Sequence, residues 1–580
     1  MDALLLMLGT FFGFIIMYKL YGKFISQKIF KLNKDAVAPS VELEDGIDYV
    51  PTKKEIIFGH HFASIAGTGP IVGPAIAIIW GWLPALLWIF IGSVFIGAVH
   101  DFGALIISMR NKGKSISDFT AKYISNRSKF FFFLIIFLEL WIVISIFGLV
   151  IAVIFHMYPG SVIPVWLQIP IAMYLGHLFY KKGKNITTWS IVAVLVMYLT
   201  IILGYFVPLD MPAVWGIPAT GVWTVILLGY AFWASVLPVT KLLQPRDFIN
   251  SYQLIITMTL LLLGIIFSVF FGGMEIVAPT IHATPADTPP LWPFLFITIA
   301  CGAISGFHSL VSSGTSAKQV RNEHDSLFVG VGSMLTEGSL ATLVIIAVSA
   351  GIGLGYTTKT GETLTGVSAW TAHYASWTSA GGLSSNISAF VDGAANMIKH
   401  IGIPREIAVG IMGVFVASFA GTTLDTATRI QRYVVTELFI DFKIHTFKNR
   451  YITTAMVVIS ALVLAFLSGA NGQGALKLWP LFGAVNQTLA ALALIVATMY
   501  LRHQGGLKWL IAGIPAVFMI VMTFWATVMN QFEFGTQNNI LLQIINITII
   551  LIVAWVVIEG IISFFRVSPP QDAEPISEKI

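Results

Sequence analysis

Apolar residues run along this chain in long blocks, and short polar intervals separate them. Each block is about twenty residues or longer, the length of a helix that crosses the hydrocarbon core of a bilayer. The pattern predicts fifteen spanning helices, at about 3–21, 56–79, 83–108, 129–157, 162–180, 187–208, 220–243, 250–273, 291–313, 325–352, 405–428, 451–469, 478–501, 508–529 and 539–565. Four polar intervals have a character of their own. Residues 35–52 form an acidic linker carrying Asp35, Glu42, Glu44, Asp45 and Asp48. Residues 274–290 are rich in Pro, Ala and Thr and hold no Lys or Arg. Residues 354–404 are long, with Trp370, His373, Tyr374, Trp377, Gly381 and Gly382, and suggest a re-entrant or amphipathic element. The tail after Arg566 is polar.

Two blocks break their own pattern. Phe58–Pro74 contains the pair His60–His61, then Gly67, Gly69 and Gly73 with Pro70 and Pro74. Glycine and proline free backbone groups from the helix ladder, and lipid cannot rebond them. Such a segment is tolerated where it is buried in protein or lines a polar cavity, and this is how secondary transporters build a substrate site. The seventh block carries Pro238 in the run Val236–Asp247. Read as a second interruption, it lies five spans after the first and runs in the opposite direction. Paired interruptions of this kind point to an inverted repeat, with spans 2–6 (56–208) and 7–11 (220–440) as the two halves.

Composition agrees with the blocks. Of 580 residues, 57% are hydrophobic and 11% charged, and the mean hydropathy is +0.85. Soluble proteins carry about 25% charged residues. The net charge of +5 is no nucleic-acid signal, because the basic residues sit between the spans. With the N-terminus outside and the C-terminus inside, 29 of the 33 Lys and Arg residues face the cytoplasm, and only Lys359, Lys399, Arg405 and Lys477 stay outside. The single cysteine, Cys301, excludes an intrachain disulfide. No basic residue precedes the first apolar block, so it reads as a retained helix rather than a cleaved leader. The organisation expected is a first helix and cytoplasmic linker (1–55), an inverted-repeat core (56–440) with the outer loop 354–404, C-terminal helices (451–565) and a cytoplasmic tail (566–580).

Phe58–Pro74, VLPVTKLLQPRD at Val236–Asp247, GAISGFHSLVSSGTSAKQ at Gly302–Gln319, TTLDTATR at Thr422–Arg429 and LWPLFGAVNQTLAALAL at Leu478–Leu494 resemble the carbon starvation protein A family, in order, from about residue 3 to residue 500. The resemblance implies a prokaryotic inner-membrane transporter related to the amino acid–polyamine–cation superfamily. Its members are associated with uptake of peptides or pyruvate during nutrient limitation, with proton coupling proposed for the pyruvate carriers. That superfamily's LeuT-like core agrees with an all-α, five-plus-five arrangement.

Several residues could carry the chemistry. The segment Ala66, Gly67, Thr68, Gly69 and Pro70 would form a half-helix N-terminus whose free N–H groups, on every residue but the proline, suit a carboxylate. Ser235 and Pro238 would face them from the second break. His60 and His61 could relay protons or hold the break in shape. Acids within a membrane cost roughly 2.5–3.5 kcal/mol each on insertion scales, so Asp101, Glu139, Glu337 and Asp425 should face protein or water. Asp101, His308 and Glu337 are candidates for coupling. In LeuT-like proteins the helix corresponding to the ninth span binds sodium through hydroxyls, which makes Ser312, Ser313 and Thr315 a candidate sodium site. Lys241, Asp425 and Arg429 could form an inner gate, with Asp425 and Arg429 paired at i, i+4. Lys241 and Arg246 also read as positive-inside anchors at the inner end of the seventh span, the rival role being an inner gate that pairs with an acid.

The sequence therefore favours a proton-coupled symporter for pyruvate or small peptides, with no cofactor, H+ preferred over Na+, and a carboxylate-bearing substrate and the bilayer as partners. The alternatives are a sodium-coupled carboxylate or amino-acid symporter, or a nutrient sensor. An enzyme is disfavoured, since no HExxH, GxSxG or phosphate-loop motif is present. The oligomeric state is open.

Overall fold

The computed structural model describes residues 1–183, 185–358 and 361–566. Lys184, Lys359 and all of the tail beyond Arg566 lie outside the described residues. Among those described, twelve helices are long and apolar enough to cross a membrane, or thirteen if one bent pair counts as a single span.

In chain order the helices are α1 (Asp2–Ile29), the bent pair α2 (Lys54–Ile65) and α3 (Gly69–Trp80), α4 (Trp82–Met109), α5 (Asn126–Met157), α6 (Pro159–Tyr180), α7 (Thr187–Phe206), α8 (Ala219–Val236) and α9 (Leu243–Phe271). The short helices α10 (Leu291–Thr298) and α11 (Gly306–Gly314) follow, and then α12 (Glu323–Leu354). After these come α13 (Leu383–Lys399), α14 (Arg405–Asp441), α15 (Arg450–Phe466), α16 (Gly474–His503), α17 (Leu510–Thr536) and α18 (Ile540–Arg566). The block expected at 291–313 is thus a discontinuous pair, and the block at 451–469 is the short α15.

The bundle inverts the soluble pattern. Leu195, Leu199 and Phe206 on α7 and Ile544, Leu551 and Ile558 on α18 are exposed, while charged and polar groups such as Asp101, Asp247, His308 and Glu337 are fully buried. With lipid as solvent, apolar side chains lose nothing by facing out, and polar groups must find partners inside. The long helices α5 and α14 pack together along the centre, α2 lies on α9, α3 on α12, and α11 between α4 and α16. The α6–α7 pair stands at the side, where Ala172, Leu175 and Met197 form a small core together with Ala234 of α8 and Phe248 and Ile249 of α9.

Both interruptions have local causes. α2 and α3 meet at 44° where Ala66–Thr68 leaves the helix and Pro70 opens the next one. Proline is tolerated in a first turn because its missing N–H has no partner there. Pro238 does not interrupt the seventh span, as the sequence pattern had suggested. α8 ends at Val236, and Leu237 is extended at φ −70, ψ 148. A proline disfavours helix at the residue before it, and here it ends a span and starts the turn into α9. The second internal break lies instead between α10 and α11, at 299–305.

At one end of the bundle, which we call the loop face, residues 274–290 cover α3. His282 N donates to Trp80 O at 2.8 Å, and Trp80 Nε1 donates to Pro289 O at 3.0 Å. The 354–404 segment lies on the same face. It forms a two-stranded hairpin (Tyr356–Thr357 with Thr363–Leu364), two short helices and the amphipathic α13, which buries Phe390, Ala394 and Ile398. At the opposite end the acidic linker lies across the bundle. Val50 N donates to Lys318 O (3.1 Å), Thr52 N to Gln319 O (3.0 Å) and Val239 N to Ile47 O (3.0 Å).

Candidate functional site

A cavity of about 770 Å³ lies between the two breaks. Gly67, Thr68 and Gly69 line it from the first break, Cys301 and Ser305 from the second, and Asn486 from α16. It extends to the loop face at Asp287 and Trp377. Ala66 and Pro70 are buried beside it without lining it. Gly67 and Gly69 are small for a steric reason: a Cβ at Gly69 would collide with the Cys301 thiol, and one at Gly67 with Thr423 Oγ1. The N–H groups of Gly67, Thr68 and Gly69 donate to no partner among the described residues. They stand at the N-terminal end of α3, where the helix dipole favours negative charge. Ser235 and Pro238 are placed elsewhere, at the end of α8, and do not line the cavity.

Three residues from distant parts of the chain meet behind Cys301. His308 Nδ1 is 3.0 Å from Asp101 Oδ2, and His308 Nε2 is 3.4 Å from Glu337 Oε2. Glu337 Oε1 accepts the Gly302 N–H at 3.0 Å, and His100 Nδ1 is 2.7 Å from Asp101 Oδ1. Asp101, His308 and Glu337 are fully buried. Gly302 has φ +90, a conformation that side-chain-bearing residues rarely adopt, and its place in the break aims its N–H at Glu337.

The other histidines serve a second network, away from the cavity. His60 Nδ1 is 2.7 Å from Asp247 Oδ2 and its Nε2 is 3.1 Å from Thr315 Oγ1. His61 Nδ1 is 2.8 Å from Ser316 Oγ. Of the hydroxyls considered for sodium, Ser313 donates to Ser309 O at 2.7 Å and Thr315 to Val311 O at 3.0 Å. Ser312 Oγ is buried without a partner among the described residues.

The gate residues are arranged differently from the expected i, i+4 pair. Asp425 pairs with Arg246 and accepts from the Tyr230 hydroxyl at 2.9 Å. Arg246 is therefore buried and paired with an acid, as the rival of its two sequence readings has it, and is not a surface anchor. Arg429 reaches the linker instead: Nη1 is 2.8 Å from Asp48 Oδ1, and Nη2 donates to Leu237 O at 2.6 Å and Ala234 O at 3.1 Å. Arg432 joins Asp48 at 3.3 Å. Neighbours on one helix face can pair, but each found a partner on another element that gives more hydrogen bonds. Burial alone would raise the Asp48 carboxyl; the Arg429 and Arg432 guanidiniums outweigh that and hold it at about 2. Lys241 is exposed and makes no ion pair among the described residues. Sequence reasoning missed Asp247 and the clasp by Asp48. The signals were present: an acid beside Arg246 at the end of a span, and acids in a linker facing a basic helix end.

The family model described as "Carbon starvation protein CstA" matches residues 2–526. The chain belongs to this family. A peptide transporter CstA of Campylobacter jejuni is 31% identical, with 93% of this chain and 82% of the relative covered. A pyruvate/proton symporter BtsT of Escherichia coli is also 31% identical, over 92% of this chain and 82% of the relative. Among solved structures, MhsT in complex with L-phenylalanine aligns over 82% of this chain and 98% of its own at a TM-score of 0.46 and 13% identity, too weak a likeness to carry an argument. With bacterial relatives throughout and a run of membrane-length helices, this member of the carbon starvation family is a multi-pass inner-membrane protein.

Proposed function

We propose that this protein is a secondary active transporter that takes up pyruvate or small peptides with protons. The observation that carries the reading is the placement of the buried Asp101–His308–Glu337 group directly behind a cavity walled by two helix breaks. The substrate carboxylate would accept from the free N–H groups at Gly67–Gly69, in the manner of anions at helix N-termini. His308 and Glu337 would hold the coupling proton, separated from the cavity by Cys301 and Gly302. The pyruvate/proton symporter among the relatives and the peptide transporters support both substrate classes. The Ser313 oxygen accepts from Ile116 N–H at 3.2 Å and the Thr315 oxygen is engaged by His60 at 3.1 Å, besides the O–H bonds both make to their own helix, which leaves them poorer ligands for Na+ and supports H+.

The packing supports two inverted repeats, with boundaries moved to follow the observed breaks. The first repeat would be α2/α3, α4, α5, α8 and α9 (54–271), and the second α10/α11, α12, α14, α15 and α16 (291–503). α3 packs on α12 as α11 packs on α4, and α9 packs on α14 as α16 packs on α5; α5 with α14 and α8 with α15 are the pairs that map onto themselves. The α6–α7 pair is then an insertion in the first repeat. Counting both broken pairs as single spans and α15 as a span gives fifteen, with the N-terminus outside, the loop face outward and the linker in the cytoplasm. In that orientation the cavity opens outward, and the clasp of Asp48 on Arg429 and Arg432, with Arg246–Asp425 above it, closes the inner side.

The test is uptake by proteoliposomes of labelled pyruvate, lactate, dipeptides and tripeptides under an imposed pH gradient and then a sodium gradient. Stimulation by the pH gradient is expected for pyruvate or a peptide. Indifference to both gradients for every compound would sink the proposal.

A further inference from the structure

The three groups at the cavity wall have an arrangement that a proton alone does not require. One ligand atom each from Cys301, His308 and Glu337 can be chosen so that all lie within 4.8 Å of one another. His308 Nε2 and Glu337 Oε2 face each other as a loose ion pair at 3.4 Å, and among the described residues neither makes a well-aligned hydrogen bond although both are fully buried. Orphaned polar atoms inside a protein call for an explanation. Zinc bonds to N and O of about 2.0–2.2 Å in a tetrahedron put neighbouring ligand atoms roughly 3.3–3.5 Å apart, which is the separation these two orphans keep.

The outer shell is already built. The opposite ring nitrogen of His308 is tied to the Asp101 carboxylate at 3.0 Å, the arrangement that fixes the tautomer and orientation of a metal-binding histidine. Asp101 is itself held by His100 at 2.7 Å, and the second oxygen of Glu337 by the Gly302 N–H at 3.0 Å. Cys301 is half-buried and lines the cavity, which gives a cation an entry path and leaves a fourth position facing the open space. Three protein ligands with one open position is the pattern of zinc sites that also receive a small molecule.

We propose that Cys301, His308 and Glu337 bind a divalent cation of the Zn2+ type, with its fourth position open to the cavity. The thiol loses its proton on binding, so that thiolate, carboxylate and neutral imidazole together balance the dication; the released proton leaves through the cavity. The cation and the coupling proton would compete for His308 Nε2 and Glu337 Oε2, so the cation-bound form is one in which neither group carries that proton; binding itself can be measured without transport.

The probe is Co2+ added to metal-stripped, detergent-purified full-length protein, followed by competition with Zn2+. Because the chain has one cysteine, a thiolate-to-cobalt charge-transfer band reports on Cys301 alone. We expect the band to appear at one cobalt per chain, to be displaced by Zn2+ and to vanish in Cys301→Ser. Zn2+ retention should fall about tenfold or more in His308→Gln and in Glu337→Gln, by analogy with the loss of other metal-site groups. A measurement on the unaltered chain guards against a variant that does not fold: Zn2+ should slow maleimide modification of Cys301. Absence of the band together with unchanged maleimide reactivity in Zn2+ overturns the proposal, as does equal Zn2+ retention by the folded Cys301→Ser protein.

Discussion

At the scale of single residues, the site turns on groups that a membrane protein would not keep without need. Glu337→Gln keeps the shape of the side chain and removes its charge. We expect pH-gradient-driven uptake to fall by about tenfold or more, while exchange of labelled for unlabelled substrate across the same vesicles survives; equal driven uptake by variant and wild type would remove Glu337 from coupling. Gly69→Leu should abolish transport with the protein still folded in the membrane, because the new side chain meets Cys301; unchanged uptake would free the first break from its proposed role. Asp101, His308 and Glu337 were legible in the sequence one by one, since an acid or histidine inside an apolar block is costly unless it is used. Their meeting was not legible, because it brings Asp101 across more than two hundred residues to His308 and sets Glu337, on a third helix, beside them. Cys301 could be read only as a small apolar-run residue until the fold set it beside Gly69.

At the scale of elements, the discontinuities decide the architecture. The break at Ala66–Thr68 could be read from its glycines and prolines. Pro238 reads in the sequence as its counterpart, yet a proline ends a helix as readily as it interrupts one, and nothing in the local sequence separates the two outcomes. The true second break carried quieter punctuation, Gly302, Ser305 and Gly306, within a block apolar enough to pass for continuous helix. The linker clasp belongs to this scale too. The Arg429 and Arg432 guanidiniums hold Asp48 at about 2, below its usual 3.8, so its stabilising contribution is complete above the unfolded value, falls away as the pH drops from 3.8 toward 2, and is gone below that. The clasp therefore stays charged from pH 4 to pH 9. Asp48→Asn should weaken the inner closure by about 1.5–3 kcal/mol, as for a hydrogen bond to a charged group. It should change the uptake rate without moving the pH midpoint of transport; a displaced midpoint would place the coupling proton at the linker instead.

At the scale of the whole molecule, the proposed outward opening of the cavity predicts which side of the membrane sees the only thiol. In intact cells, an impermeant maleimide added outside should label Cys301, and a transported substrate should slow the labelling. Labelling solely in inverted vesicles would reverse the proposed orientation. The apolar blocks and basic intervals made the membrane class and the approximate order of helices legible, because lipid imposes length and composition on every span. The α6–α7 pair escaped such reading: its helices look like any other spans, and only packing sets them apart from the two halves. The strap of residues 47–52 carries one more consequence. Its backbone is stitched to Val239, Lys318 and Gln319, so it is guarded from cleavage while the inner side is shut. In the proposed orientation, an opening toward the cytoplasm must unpick those stitches and present an extended chain. A protease added to inside-out vesicles would then cut there at a rate proportional to the time spent open, and each turnover of the carrier would leave its mark as a nick.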